Sequence, residues 1–494
     1  MRIVDTSRFK SNELRPSERE WVYNGLDCMV TAEVFQVLER QLDSITSQVY
    51  SFSKALQGPV LDMRLRGILV DKVRRSEVIE AYEDKIDTLE SALYRITTEA
   101  YGVYSFNWRS FQDLRSLFYG TLKIPPIRNM GVITTDRDAL ERLESYRVAA
   151  PAIVLIKALR DLGKRISFLK TEVDSDGRMR TSYNIAGTET GRFSSSLSEF
   201  GTGTNLQNVE DLLRSIFIAD EGMKLAYFDA KQGESRCVGA IEWNQFRDGQ
   251  YLEACEGGDL HTSVAKICWP ELPWTGDLAV DTKLAEQPYY RHHSRRYMAK
   301  RLGHGTNYGG KVRTMSEQTK IPIDAVEDFQ AAYEKAFPTH QKWREAVDRQ
   351  LKTYGYLVSL TGRRRHFFGR RDAGETLREA IAFDPQGSLA DIVNKGMLQV
   401  WKQNNCQLLL QNHDAIVIQF EQEREDEIIP LVIKQLEVPI QLKYGRTFTI
   451  PYGAKTGWNW GELTKDNPDG LKEFNPGDKR ARTPPVPLLD RIFR

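Results

Sequence analysis

The chain has 494 residues, 40% hydrophobic and 28% charged, with a net charge of +1. It can bury several cores, its composition is not that of a disordered or fibrous chain, and no global charge excess demands an acidic or basic partner, although a local basic groove is compatible with this balance. No apolar stretch approaches a membrane span, the start MRIVDTSRFK has no apolar signal core, and five scattered cysteines without a CxxC pair argue for reduced thiols in the cytoplasm rather than disulfides or a zinc site.

Residues 17–48 carry apolar residues at three- and four-residue spacing and predict a helix, as do 74–100 and 137–170. Between the last two, FNWRSFQDLRSLFYGTLKIPP reads as a helix stopped by prolines. Residues 178–210 turn polar and rich in Gly and Ser, the character of strand and loop. MKLAYFDA (223–230) predicts a strand ending in an aspartate, and helices are expected to dominate 231–350. Strand character returns at 355–361 and 408–420. From about residue 465 the chain is polar and Pro-rich, and little packing is expected there.

LLLQNHDAIVIQF (408–420) sets His413 and Asp414 between two apolar runs, the pattern of two short buried strands and a tight turn. An aspartate at a turn most simply accepts backbone N–H bonds. Asp229 also ends an apolar run, and two such carboxylates can meet across a sheet. Each then raises the other's pKa unless a cation sits between them, and a pair of divalent ions there suits phosphoryl transfer. Taken alone, the two can equally be unrelated strand-end residues.

In RRYMAKRLGHGTNYGG (295–310), Arg296, Lys300, His304 and Tyr308 recur every four residues, along one stripe of a helix. Cations followed by an aromatic suit a triphosphate and a stacked base. The other reading is a solvated basic face. Gly303, Gly305 and Gly309 weigh against it: each costs about 1 kcal/mol in a helix interior, so something is expected to approach this backbone closely.

Together these stretches resemble the family A DNA polymerases, the group containing bacterial DNA polymerase I and many phage replicative polymerases, from about residue 50 to about 462. DAKQGESR (229–236) resembles the first palm motif, D-x-S-Q-x-E-x-R, with Asp229 on the metal ligand, Glu234 on the residue crowding the sugar 2′ position, and Arg236 on the motif's arginine. RYMAKRLGHGTNYG (296–309) resembles the fingers-helix motif, with Arg296 and Lys300 on the triphosphate-binding cations and Tyr308 beside the templating base. HDA (413–415) resembles the H-D-E turn, with Asp414 on the second metal ligand. TETGRFSS (188–195), followed by NLQN (205–208), and REAIAFDPQGSLAD (378–391) are similar to further family segments. The resemblance implies that Arg192, Arg236, Arg378, Gln386 and His413 contact DNA. Three positions depart from the pattern: His304 replaces Phe or Tyr, Ala415 replaces Glu, and Ala382 replaces Asn.

The resemblance implies an α+β right-hand fold with an antiparallel palm sheet and helical fingers and thumb. It divides the chain into an exonuclease remnant (1–49), thumb and lead into the palm (50–172), palm (173–235 and 351–462), fingers (236–350) and a C-terminal tail (463–494). It implies DNA polymerisation from dNTPs on a primer–template by two Mg²⁺ ions, for which Mn²⁺ could substitute. Lys300 would act on the leaving pyrophosphate and His304 would join the nucleotide site. Competing readings are a reverse transcriptase or RNA polymerase on the same palm, which Glu234 disfavours, and a non-catalytic DNA-binding protein. YNGLD, with Tyr23 and Asp27, resembles the last motif of the family's 3′–5′ exonuclease domain, whose earlier motifs are absent from this sequence. For Tyr23 and Asp27 an ordinary helix surface is the first reading, and one side of a site completed by a separate exonuclease polypeptide is the other. Leu488, Leu489, Ile492 and Phe493 of the tail either pack loosely on the chain's own palm or serve as anchors for a processivity or replisome partner. No membrane association is expected, and the cytoplasm, or a host's cytoplasm if the chain is phage-encoded, is the expected location.

Overall fold

The structure is a computed structural model and describes residues 14–290 and 293–477. At its centre lies a five-stranded antiparallel sheet, in spatial order Gln407–Asn412, Ala415–Glu421, Met223–Ala230, Tyr452–Gly457 and Lys472–Glu473. The first two form the expected hairpin, turned by His413 and Asp414, with His413 in the left-handed region at φ 57°. Their apolar runs are continuous because both faces of the sheet are covered. Leu408, Ile416, Ile418 and Phe228 enter one core, whereas Leu409, Leu410, Val417 and Leu225 enter another.

Helices Lys72–Arg95 and Ala150–Leu169 pack against each other over a third core containing Leu93, Trp108, Phe118, Ile153 and Ile156. The expected helix over 137–170 is two helices, Arg137–Leu143 and Ala150–Leu169. Pro151, in the first turn of the second, has no N–H to continue a helix through that point. The N-terminal helix also divides, into Pro16–Glu39 and Ser44–Ala55, because Asp43 caps the second by accepting from the Ile45 and Thr46 N–H groups.

Helices do dominate 231–350, and they build a fourth core around Phe329, Tyr333 and Trp343. The strand expected over 355–361 shrinks to Tyr356–Val358, paired with Arg364–His366 outside the central sheet. Between the two strand regions runs Gly374–Gln403, a 30-residue helix that contains Pro385 and buries most of its middle.

The tail corrects the expectation of poor packing from about residue 465. Trp458 and Asn459 N–H groups donate to the Asp469 carbonyl, Leu471 is buried, and Lys472–Glu473 forms the sheet edge. Leu488, Leu489, Ile492 and Phe493, expected as docking anchors, lie outside the described residues. No helix among the described residues is long and apolar enough to cross a membrane.

Candidate active site

The sheet register joins the two aspartates. Ala415 pairs with Asp229, so Asp414 sits one residue from the Asp229 level, and the Ala230 N–H donates to the Asp414 carbonyl at 3.3 Å. The turn that carries Asp414 is braced from beneath. Buried Gln411 donates its side-chain N–H to the His413 carbonyl at 2.5 Å and accepts from Gln207 at 2.8 Å, and the Tyr183 hydroxyl meets the Gln411 backbone at 3.1 Å. Gln207 belongs to the NLQN stretch, which thereby has a positioning role.

Lost hydration between neighbouring strands, then the negative charge of Asp414, pushes the Asp229 carboxyl up to about 6, although its tip reaches solvent. Lys455 and Arg214 oppose this. Burial also raises the Asp414 carboxyl, against its backbone hydrogen bond and the charges of Arg192 and His413. The two carboxylates therefore compete for one region of negative charge, a donor set that fits a hard divalent cation.

Beside them Glu234 gathers residues that the sequence placed in three separate segments. One of its carboxylate oxygens accepts from the Tyr308 hydroxyl at 2.5 Å and from the Gln386 amide at 3.3 Å, and the other accepts from Arg192 at 3.2 Å. His304 Nε2 lies 3.8 Å away, and its ring meets Tyr308 edge-on at 5.1 Å. Arg192 reaches Glu234 from a turn at Gly191, where φ is 80° and a Cβ would come within 2.6 Å of the Arg363 guanidinium. Only glycine fits there.

The Arg295–Asn307 helix is N-capped by Ser294 and carries the expected stripe. Lys300 and His304 stand exposed on it. Arg296 does not stand free: its guanidinium donates to Asp259 at 2.8 and 3.2 Å and lies 3.7 Å from Glu286. The glycines of this helix have an internal cause. A Cβ on Gly305 would strike Met315 at 2.9 Å, one on Gly303 would touch the Tyr333 ring at 3.6 Å, and Gly309 turns the chain at φ 70°. The Met315 side chain and a left-handed turn account for Gly305 and Gly309, whereas the contact at Gly303 is an ordinary one that a Cβ could make.

Arg236 corrects the sequence reading. It is buried, and its guanidinium donates to the carbonyls of Lys231 at 3.1 Å and Cys255 at 2.6 Å. A buried guanidinium committed to these two carbonyls holds the chain behind Asp229 and is shielded from a DNA phosphate. Arg378 is exposed at the start of the 374–403 helix, and His413 is exposed at the hairpin turn. Tyr23 and Asp27 are exposed on Pro16–Glu39, a helix with no buried residue.

Sequence reasoning missed Asp259. Its signal was an ordinary one, an Asp directly before the apolar-periodic segment LHTSVAKIC. It caps that helix through the Thr262 N–H and holds Arg296 as well. Lys455 and Arg214, which bear on Asp229, lie in segments without a motif.

Residues 74–462 match the family model described as DNA polymerase family A. Among curated relatives, the chain is 26% identical over 443 residues to a thermostable DNA polymerase I of Thermus filiformis, covering 84% of this chain and 50% of the relative. It is 26% identical over 469 residues to DNA polymerase I of Deinococcus radiodurans, covering 90% and 45%. The chain thus spans about half the length of the curated relatives it matches. The POL domain of Pol1 from M. smegmatis, solved with a DNA primer-template and dNTP, shares the fold with a TM-score of 0.68 at 24% identity, over 82% of this chain and 69% of that one. With the family model matching most of its length, around an α+β architecture of the same fold, the chain belongs to DNA polymerase family A.

Proposed function

We propose that the chain is a template-directed DNA polymerase that adds deoxynucleotides to a primer 3′-hydroxyl. The observation that carries this is the sheet register that sets Asp229, at the end of its strand, against Ala415 and so beside Asp414 in the adjoining turn, with Arg192, Glu234, Tyr308 and Gln386 bonded together beside them. Asp229 and Asp414 would hold Mg²⁺, or Mn²⁺ in its place, which supplies activation of the attacking hydroxyl and neutralisation of the triphosphate. No group of three or more His, Cys, Asp or Glu placed to hold a metal ion occurs among the described residues. Carboxylate, phosphate and water oxygens are the ligands such an ion takes.

The chain's own residues then divide the work. Lys300, exposed on its helix, binds the triphosphate and gives a proton to the departing pyrophosphate. Arg296 joins it as its pairing with Asp259 is exchanged for phosphate oxygens. Glu234, held by its hydrogen-bond donors, keeps its carboxylate where a ribose 2′-hydroxyl would sit. Arg192, Arg378, Gln386 and His413 meet the primer–template, whose sequence is read by base pairing while the protein holds the backbone. In this reading residues 50–172 are the thumb and lead into the palm, 173–235 and 351–462 the palm, and 236–350 the fingers. The five free cysteines fit work in a reducing cytoplasm.

The test is extension of a labelled primer in Mg²⁺, with dNTPs or NTPs, on DNA or RNA templates. Templated extension with dNTPs on DNA is expected. No extension, or equal use of NTPs, contradicts the proposal.

Tyr23 and Asp27 would be one side of a composite exonuclease site whose other carboxylates lie outside these 494 residues, a reading that the exposed Trp21, Met29 and Phe35 on the same helix support. This chain alone should then leave a mismatched 5′-labelled primer intact in Mg²⁺ without dNTPs. Shortening that is lost in Asp27→Ala contradicts the composite site.

A further inference from the structure

The segment from Arg349 to Arg378 holds eight Arg and Lys residues against two acidic ones, in a chain whose whole net charge is +1. Within it the short hairpin Tyr356–Val358/Arg364–His366 sorts its side chains by strand alternation. Leu357 and Phe367 turn inward and are buried. Tyr356 and His366 share the opposite face, flanked by Tyr354 at the end of the helix Thr339–Tyr354 and by Phe368 just past the second strand, with Tyr354 61% and Phe368 95% exposed.

These outward rings form a continuous ladder. Tyr354 and Tyr356 are 5.9 Å apart between centroids, Tyr356 and His366 5.3 Å, and His366 and Phe368 6.5 Å with planes within 24° of parallel. The last gap is close to two rises of about 3.4 Å, the spacing of successive nucleotides along a DNA strand. Arg364 covers the Tyr356 ring at 5.1 Å while pairing with Asp43, Arg370 pairs with Asp372, and Arg371, exposed beyond Phe368, donates to the Lys352 carbonyl; the two pairs are at exposed sites, where phosphate oxygens can replace the carboxylates. A phenylalanine left almost wholly in water gains nothing for the fold.

The hairpin is fixed to the candidate active site rather than hanging from it. Arg365 pairs with Glu189, and Arg363 packs under Gly191, next to the Arg192 that bonds Glu234. The Leu360 N–H donates to Asp384 at 2.7 Å, on the helix that also supplies Gln386.

We infer that this aromatic and arginine-rich face is a binding track for single-stranded DNA, and that its occupant is the unpaired strand of the template. Alternating π faces and cations are what a sequence-tolerant single-strand site requires: bases stack and phosphates are neutralised. The inference rests on the proposed polymerase reading for the source of the strand, but its test uses binding alone, so a failure of catalysis leaves it decidable.

The experiment measures fluorescence anisotropy of the full chain with labelled oligo(dT)₂₀, a blunt duplex, and primer–templates whose 5′ overhangs are about two or twelve nucleotides long. The double variant Tyr354→Ala/Phe368→Ala should lose about fivefold or more in affinity for the oligonucleotide and keep its affinity for the blunt duplex. Phe368→Trp should retain binding, and Tyr104→Ala, an exposed aromatic off the ladder, should match wild type. Wild type should bind the long overhang more tightly than the short one, and the double variant should not distinguish them. Unchanged oligonucleotide affinity in the double variant, or equal loss on the blunt duplex, overturns the single-strand track. A lost oligonucleotide affinity with an intact overhang preference overturns the template assignment.

Discussion

Replacing Asp384 by Asn should stabilise the protein at pH 8 and not at pH 5. Asp384 is buried in the 374–403 helix and accepts hydrogen bonds from the Leu360 N–H at 2.7 Å and the Ser388 hydroxyl at 2.9 Å. Burial outweighs both bonds and pushes its carboxyl from an ordinary 3.8 up to about 6. A carboxyl raised in the folded state contributes stability that is fully present below pH 3.8 and is lost as pH rises through about 6. At about 1.36 kcal/mol per pH unit, the loss by pH 8 is ~3 kcal/mol. The asparagine carbonyl keeps the acceptor for Leu360, while its amide brings buried donors that cost about 1–2 kcal/mol. The net gain at pH 8 is then ~1–2 kcal/mol, and at pH 5, where Asp384 is largely protonated, it vanishes or reverses. Urea unfolding followed by tryptophan fluorescence at both pH values measures this. A variant destabilised equally at pH 5 and pH 8 would show that Asp384 carries no raised carboxyl in the folded state.

Three further outcomes concern the site. Glu234→Ala should raise ribonucleotide use relative to deoxynucleotides in competitive single incorporation, and an unchanged ratio would place the sugar gate elsewhere. Asp259→Asn keeps a good helix cap but removes the charge paired with Arg296. It should lower KM for dNTPs severalfold with kcat little changed, and an unmoved KM counts against Arg296 as a triphosphate ligand. His304→Phe removes the ring nitrogen 3.8 Å from Glu234. It should change the ratio of dideoxy- to deoxynucleotide incorporation, and an equal ratio contradicts a place for His304 beside the sugar.

The strand 223–230 and the hairpin at 407–421 could be read from sequence because their burial is dense and local: both faces of each strand are covered, so the apolar runs Leu225–Phe228, Leu408–Leu410 and Ala415–Ile418 lie close to the two aspartates. The 374–403 helix could not be read in the same way. Pro385 and Gly387 interrupt its local signal, and its length is secured by burial of Phe383, Leu389, Ile392 and Val393 against other elements. Arg236 was misjudged because a motif position states a residue type and not its surroundings. Whether a guanidinium meets phosphate or the Cys255 carbonyl depends on a helix nineteen residues away. The exposed ladder at 354–368 was also hidden. Its parts sit on or beside two strands, and only the pairing of Tyr356 with His366 brings them to one face.

In the proposed function Asp229 and Asp414 form one metal-dependent catalytic site. Single-nucleotide incorporation in Mg²⁺ by wild type, Asp229→Asn and Asp414→Asn, with primer–template affinity measured in parallel, tests it most directly. Each variant should lose incorporation by about a hundredfold or more while binding the duplex as wild type does. Retention of more than a few per cent of wild-type incorporation by either variant would contradict the account.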